Sequence, residues 1–330
     1  MVATAPSPGP FLTDGLERVE AALVDSVRTA DPFLTEVASH LIRAGGKRVR
    51  PAFAVAAAAT GRGAADQRVG DDAVMGGVAV ELVHLGSLYH DDVIDEAVTR
   101  RTVESVNARW GNLTAILAGD YLLAKASEIA ASLGTEVAGL LAATIGRLCE
   151  GEVVELRSAY DVERSEASYL ASIGGKTAAL FSTACRIGAI VAGLPRGHVD
   201  ALTRFGDHYG MAFQIVDDVL DVVATDEELG KPAGHDLVEG VYTLPVLRTL
   251  RTPTGSELRA LLGKPLSEEE KDAARALVRA NGAVSDATQA ARAYATSAVD
   301  ALAPLGESAA VDWLASEADR VVARATSRTT

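Results

Sequence analysis

Apolar residues recur at helical spacing through most of this chain, and β-branched alternation over more than four residues is hard to find. That pattern argues against a sheet architecture. It predicts helices over Gly15–Ala30, Pro32–Ala44, Asp72–Glu96, Thr114–Leu133, Glu136–Ala159, Ser165–Gly193 with a break allowed, Val199–Ala224 and Leu244–Thr249. Ser267 with Glu270 three residues on reads as a capping box, with Gly282 as the stop, and two further helices follow near Ser285–Ala303 and Ser308–Ala325. The Gly/Pro/Asp clusters at Gly61–Asp72 and Asp226–Asp236 read as loops. No shift in composition marks a boundary, and no fixed repeat of roughly 20–50 residues appears. One large all-α domain over 13–330 is expected, behind a loose arm over residues 1–12.

Two of these helices carry carboxylates where an interior helix should be apolar. "DDVIDEAVT" at Asp91–Thr99 returns as "DDVLDVVAT" at Asp217–Thr225, five of nine positions being identical. At 100° per residue, Asp91 and Asp95 lie about 40° apart and His84 about 20° from Asp91, so they share one stripe. A single DxxxD is more often a solvated acidic face. Here Leu82, Leu85, Leu88, Val93 and Ile94 surround the first motif, and Phe213, Ile215, Val216, Val219, Leu220, Val222 and Val223 the second. A helix apolar nearly all round is buried, so its carboxylates need partners. Oxygen ligands one turn apart suit Mg²⁺, which holds one or two carboxylates together with phosphate oxygens. Two such helices facing each other would make a diphosphate site. "ELVH" (Glu81–His84) matches the ExxH of di-iron bundles, but no second copy exists.

A diphosphate also needs cations. "GGKRVRP" (Gly45–Pro51) sets Lys47, Arg48 and Arg50 within four residues after two glycines, as an anion cradle would. Arg100 and Arg101 follow the first motif; the bland reading is helix-end charges. "GGKTAALF" (Gly174–Phe181) is no P-loop, because Leu170 stands where the first glycine is required; Lys176 and Thr177 remain phosphate contacts. Lys231 sits in the loop after the second motif. Gln214, one turn before Asp218, is either a locally satisfied amide or a ligand contact.

The net charge of −14 argues against a general nucleic-acid binder. Cys149 and Cys185 lack CxxC spacing, which fits a reducing, cytoplasmic setting. The opening "MVATAPSPGP" does not read as a signal peptide, and Arg186 interrupts the most apolar run, so a soluble protein without a membrane span is expected.

These motifs, in this order, resemble the trans-isoprenyl diphosphate synthases, the polyprenyl synthetases. The likeness runs through "GGKRVRP", "ELVHLGSLYHDDVIDEAVTRR", "WGNLTAILAGDYLL", "GGKTAALF", "FQIVDDVLDV" and "GKPAGHDLVEGVYTLP", covering about Leu41–Leu250. It implies an isoprenoid synthase fold, a bundle of roughly ten to fourteen helices around a central cavity, and a homodimer in contact with no nucleic acid. It implies that Asp91, Asp92, Asp95, Asp217, Asp218 and Asp221 bind Mg²⁺, three ions per active site with substrate bound. Lys176, Thr177, Gln214, Lys231 and Arg100 would contact an allylic diphosphate, and Lys47, Arg50, His84 and Arg101 isopentenyl diphosphate. Asp91, Asp92, Asp95, Asp217, Asp218, Lys176 and Lys231 would then stabilise departing pyrophosphate, and peripheral contact with a membrane would aid product release. The chain departs from the family pattern where Val241 stands in place of a common lysine, and where "RRTVESVN" replaces RRG-x-P-T-V-N.

In this family, bulky residues just before the first motif stop elongation early. Gly86 and Ser87 occupy those positions, roughly 6–8 Å deeper than the metals. The bland reading of Gly86 is close helix packing; the open reading predicts a long product for quinone side chains. A shorter-chain synthase, a class I terpene cyclase, a silent regulatory subunit and a helical Mg²⁺ scaffold are the alternatives. The duplicated DDxxD and GGKRxRP weigh against the cyclase, and the six retained aspartates against the silent subunit. Asp91→Ala is expected to lower turnover more than about a hundredfold with circular dichroism unchanged; a near-wild-type rate would overturn the metal assignment.

Overall fold

The computed structural model describes residues 9–61, 68–225, 227 and 233–326. Among them the chain forms sixteen α-helices and one short β-hairpin. The count exceeds the roughly ten to fourteen expected, because several helices have only four to seven residues. Contacts divide the chain into two compact units, each gathered from separate stretches.

The first unit comprises Met1–Ile145, Leu180–Thr203 and Pro304–Leu314. It opens with α1 (Pro10–Ser26), α2 (Pro32–Arg43), α3 (Val49–Ala59) and α4 (Asp71–Ile94). Helix α1 starts inside the stretch read as an arm, because Pro10 suits a first helical turn and Phe11 and Leu12 are buried. Asp31 caps α2, its carboxylate accepting from the Phe33 N–H at 2.9 Å. Antiparallel strands β1 (Thr99–Arg100) and β2 (Val103–Glu104) follow, then α5 (Val106–Trp110), α6 (Asn112–Ser132) and the start of α7 (Thr135–Arg157). Most of α9 also belongs to this unit; α8 (Glu166–Ile173) and a π-helical turn (Gly174–Ala178) precede α9 (Ala179–Val191).

Small residues set the spacing in this unit. Nine of the eleven residues of α3 are buried, six of them alanine. A Cβ on Gly188 of α9 would lie 2.1 Å from the Ala54 carbonyl oxygen, so the two backbones touch. Gly86 of α4 and Gly119 of α6 meet in the same way; a Cβ at either would lie 3.1 Å from the other's carbonyl oxygen. Phe53 meets Phe181 and Trp313 edge-on at 5.5 and 5.7 Å between ring centroids, filling the space the alanines leave.

The second unit comprises Gly146–Ala179, Arg204–Ala303 and Ala315–Thr330. It holds the end of α7, α8, the π turn and most of α10 (Arg196–Val223). It continues through α11 (His235–Val238), α12 (Leu244–Thr249), α13 (Gly255–Leu261), α14 (Glu268–Arg279), α15 (Ala283–Ala301) and the end of α16 (Ala309–Thr326). The expected capping box at Ser267 and Glu270 opens α14. The break allowed for after Ser165 is the π turn. There the α7 backbone comes so close that a Cβ on Gly175 would lie 2.7 Å from the Arg147 carbonyl oxygen. Among the described residues, no helix is long and apolar enough to cross a membrane.

Gly188→Ala is expected to destabilise the protein by about 1–3 kcal/mol through overpacking. Gly197→Ala, where a Cβ meets nothing within 4 Å, is expected to change little. Chemical denaturation of both variants checks the contrast.

Candidate active site

In the first unit, α4 carries the first aspartate motif to its C-terminal end. Asp95 is the cap residue, and its N–H donates to the Asp91 carbonyl at 2.8 Å, so the two side chains stay one turn apart. Asp91 is half-buried, Asp95 exposed and Asp92 fully buried. Arg100 Nε donates to Asp92 Oδ1 at 2.7 Å, and Asp92 Oδ2 is buried with no partner. Burial raises the Asp92 carboxyl above the ordinary carboxylate range, against the Arg100 charge.

His84 lies two turns before Asp91. Burial holds its imidazole well below the usual pKa, and the charges of Arg50, Arg101, Arg100 and Arg48 push the same way, so it is neutral. Lys47 is exposed, and the half-buried Arg50 lies with its guanidinium carbon 4.8 Å from the Phe181 ring centroid. Arg101 is occupied within the protein: Nη1 donates to the carbonyls of Leu41, at 3.1 Å, and Gly45. Gly86 packs against α6, where a Cβ would also meet the Leu123 side chain at 3.1 Å. Ser87 is half-buried and its Oγ donates to the His84 carbonyl at 2.9 Å.

In the second unit the second motif lies near the end of α10. Asp218 is buried, and both its oxygens accept hydrogen bonds: Oδ2 from the Tyr169 hydroxyl at 2.5 Å, Oδ1 from Gln214 Nε2 at 2.8 Å. Burial pushes its carboxyl up to about 7, against those two donors. Thr177 Oγ1 donates to Gln214 Oε1 at 2.7 Å, so the amide is satisfied locally between Thr177 and Asp218. Asp221 is buried, and its Oδ2 accepts from the Asp236 N–H at 3.2 Å. Asp217 is half-exposed and pairs with Arg324 of α16 at 3.0 Å.

Lys176, in the π turn, lies 2.7 Å from Glu152 and 2.6 Å from Glu155. Burial opposes its charge, but those carboxylates outweigh it and raise its pKa. A cavity of about 140 Å³ is lined by Lys176, Thr177, Gln214 and Asp218, with Glu155, Asp236 and Glu239 adding negative charge. Val241 lines it too, so this chain lacks a cation there. Lys231 lies outside the described residues.

With both clusters described, the comparisons decide the family. The sequence pattern of the polyprenyl synthetases matches residues 31–279. The chain belongs to the polyprenyl synthetase family. It is a trans-isoprenyl diphosphate synthase, and so a prenyltransferase with the all-α isoprenoid synthase fold. Among its relatives is the nonaprenyl diphosphate synthase of Mycobacterium tuberculosis, 40% identical over 313 residues, 94% of this chain and 92% of that one. A decaprenyl diphosphate synthase structure from Rhodobacter capsulatus matches with a TM-score of 0.87 and 35% identity, covering 95% and 97% of the two chains. A geranylgeranyl pyrophosphate synthase from Corynebacterium glutamicum, in complex with calcium and isoprenyl diphosphate, matches with a TM-score of 0.83 and 39% identity, covering 95% and 96%.

Three carboxylates escaped the sequence reading of this prenyltransferase. Glu81 was weighed only as half of a di-iron motif; in the structure Arg48 takes its carboxylate at 2.8 Å. Glu152 and Glu155 stand three apart on α7, and that spacing beside the apolar Val153 and Val154 was the available signal. Tyr169→Phe removes one donor from buried Asp218 and is expected to cost about 1–3 kcal/mol in denaturant titrations.

Proposed function

We propose that this synthase condenses isopentenyl diphosphate with an allylic diphosphate in an Mg²⁺-dependent reaction, and repeats the step to a long all-trans product of about seven to ten isoprene units for quinone side chains. The observation that carries the reaction is the oxygen-rich first motif beside a cluster of arginines and neutral His84. The donors fit a hard divalent cation: they are carboxylate oxygens, and Asp92 Oδ2 is buried without a protein partner. Among the described residues no three metal-ligating side chains are gathered in advance, as suits an ion that keeps phosphate oxygens in its shell.

Asp91, Asp92, Asp95, Asp217, Asp218 and Asp221 would hold the Mg²⁺, three ions with substrate bound. When bound, Mg²⁺ offsets the negative charge of the diphosphate. Lys176, Thr177, Gln214, Lys231 and Arg100 bind the allylic diphosphate and stabilise charge growing on the leaving pyrophosphate. Lys47, Arg50, His84 and Arg101 bind isopentenyl diphosphate. As the allylic C–O bond breaks, the isopentenyl double bond attacks the carbocation, and the proton then lost passes to pyrophosphate. No side chain acts as nucleophile.

The long product is supported by the nonaprenyl and decaprenyl relatives. The geranylgeranyl synthase from Corynebacterium glutamicum favours a second reading, a four-isoprene product. A homodimer is supported by an apolar stripe on α6, where Leu113 and Leu117 are 73% and 58% exposed. An exposed free thiol at Cys149 fits the cytoplasm, and a long apolar product would favour release at a membrane surface.

Incubation with Mg²⁺, isopentenyl diphosphate and farnesyl diphosphate, followed by sizing of the products, tests the reading. Products beyond four isoprene units are expected; a geranylgeranyl product alone would establish the second reading, and no elongation from any primer would overturn both. Leu117→Glu is expected to halve the mass seen by sedimentation.

A further inference from the structure

Glu81 is 2% exposed, on an otherwise apolar turn of α4, one turn before His84. A buried carboxylate is costly unless ion-paired, and losing one partner leaves the other uncompensated. Here one oxygen serves two loops. Glu81 Oε1 accepts from Arg48 Nη1 at 2.8 Å and lies 3.7 Å from Arg101 Nη2. Arg48 belongs to the GGKRVRP loop and Arg101 to the hairpin that follows the first aspartate motif.

Both arginines hold a backbone that L-residues avoid, with φ of 46° at Arg48 and 51° at Arg101. Such positions are strained and persist where the surroundings over-determine them. The surroundings do so. Arg48 is 5% exposed, its other edge pairs with Glu20, and its Nη2 donates to the Ile42 carbonyl at 2.9 Å. Arg101 clasps the Leu41 and Gly45 carbonyls where α2 ends, and a Cβ on Gly46 would strike its guanidinium at 2.9 Å. These two arginines are therefore held in place by the protein's own carbonyls and carboxylates. Lys47 and Arg50, on either side of Arg48, are the residues of this loop proposed above to bind isopentenyl diphosphate.

We propose that Glu81 is a positioning residue for the isopentenyl diphosphate subsite: by gripping Arg48 and Arg101 it fixes the loop that presents Lys47 and Arg50 to the face of α4 bearing His84. Glu81 itself does not touch substrate. The proposal rests on the reaction proposed above and adds a residue to it, with Arg48 acting through the loop.

Glu81→Gln keeps the shape and removes the charge, while Arg48 retains Glu20. Steady-state kinetics should show KM for isopentenyl diphosphate rising about tenfold or more, with kcat and KM for farnesyl diphosphate changed less than about twofold, the signature of lost binding to one substrate alone. Calorimetric titration of isopentenyl diphosphate into the metal-free protein should weaken by the same factor. Arg48→Lys, which keeps the charge but not the planar fork, should give the same split in smaller measure, and guards against misfolding of Glu81→Gln. Glu20→Gln, on the half-exposed side of Arg48, should lower thermal stability slightly and leave both KM values alone. Unchanged isopentenyl diphosphate affinity in Glu81→Gln and Arg48→Lys, or an equal rise in both KM values, would overturn the positioning role. Failure of the wild-type protein to bind or elongate isopentenyl diphosphate would instead overturn the reaction itself, and this inference with it.

Discussion

Charge inside alanine-rich, closely spaced helices has to be answered locally, and that requirement organises both units. Water cannot reach Asp92, Asp218 or Glu81 in quantity, so each has a specific donor or cation: Arg100, the pair Tyr169 and Gln214, and Arg48. The partners differ in kind, and so does the result. A guanidinium keeps Glu81 in a buried ion pair, whereas two neutral donors leave Asp218 with its carboxyl raised to about 7. A carboxylate answered by neutral donors keeps unmet demand for positive charge. Glu81, already paired, has little.

Most of the helices were legible, because their apolar periodicity reports burial directly. Boundaries shifted by a few residues, as at α4, which ends at Ile94 with Glu96 in a left-handed conformation. The π turn could be anticipated only as a break: what produces it is the touch between Gly175 and the α7 backbone, a contact far apart in sequence. Gly86 was open to two readings for a similar reason. A glycine looks the same in sequence whether it opens a channel or admits another backbone, and its approach to Gly119 is visible only in the fold. The residue types of the proposed diphosphate site are those its motifs carry. Which arginine of GGKRVRP turns inward was not legible, because Lys47, Arg48 and Arg50 differ in their surroundings and not in their chemistry.

A chain with net charge −14 can still bind polyanions where its cations are concentrated. Around His84 the charges of Arg50, Arg101, Arg100 and Arg48 add up strongly enough to help keep the imidazole neutral. Neutral His84 can donate one hydrogen bond to a phosphate oxygen without adding charge. Thr102 marks the cost of building this region: it stands where the family pattern has glycine, yet its φ is 65°, in the left-handed region where glycine is favoured.

The cavity of the second unit has the opposite balance. Lys176 faces it already held by Glu152 and Glu155, and Asp218, Asp236 and Glu239 add further acidity. Val241 supplies nothing where a lysine is common in the family. A diphosphate entering such a cavity meets repulsion unless positive charge comes with it, and hard divalent cations carried on phosphate oxygens supply it most compactly. Under the proposed reaction, isopentenyl diphosphate would meet Lys47, Arg50 and Arg101 and need no metal, whereas the allylic diphosphate, assigned to the aspartate motifs, would need it. The difference follows from where the chain has placed its cations and its acids.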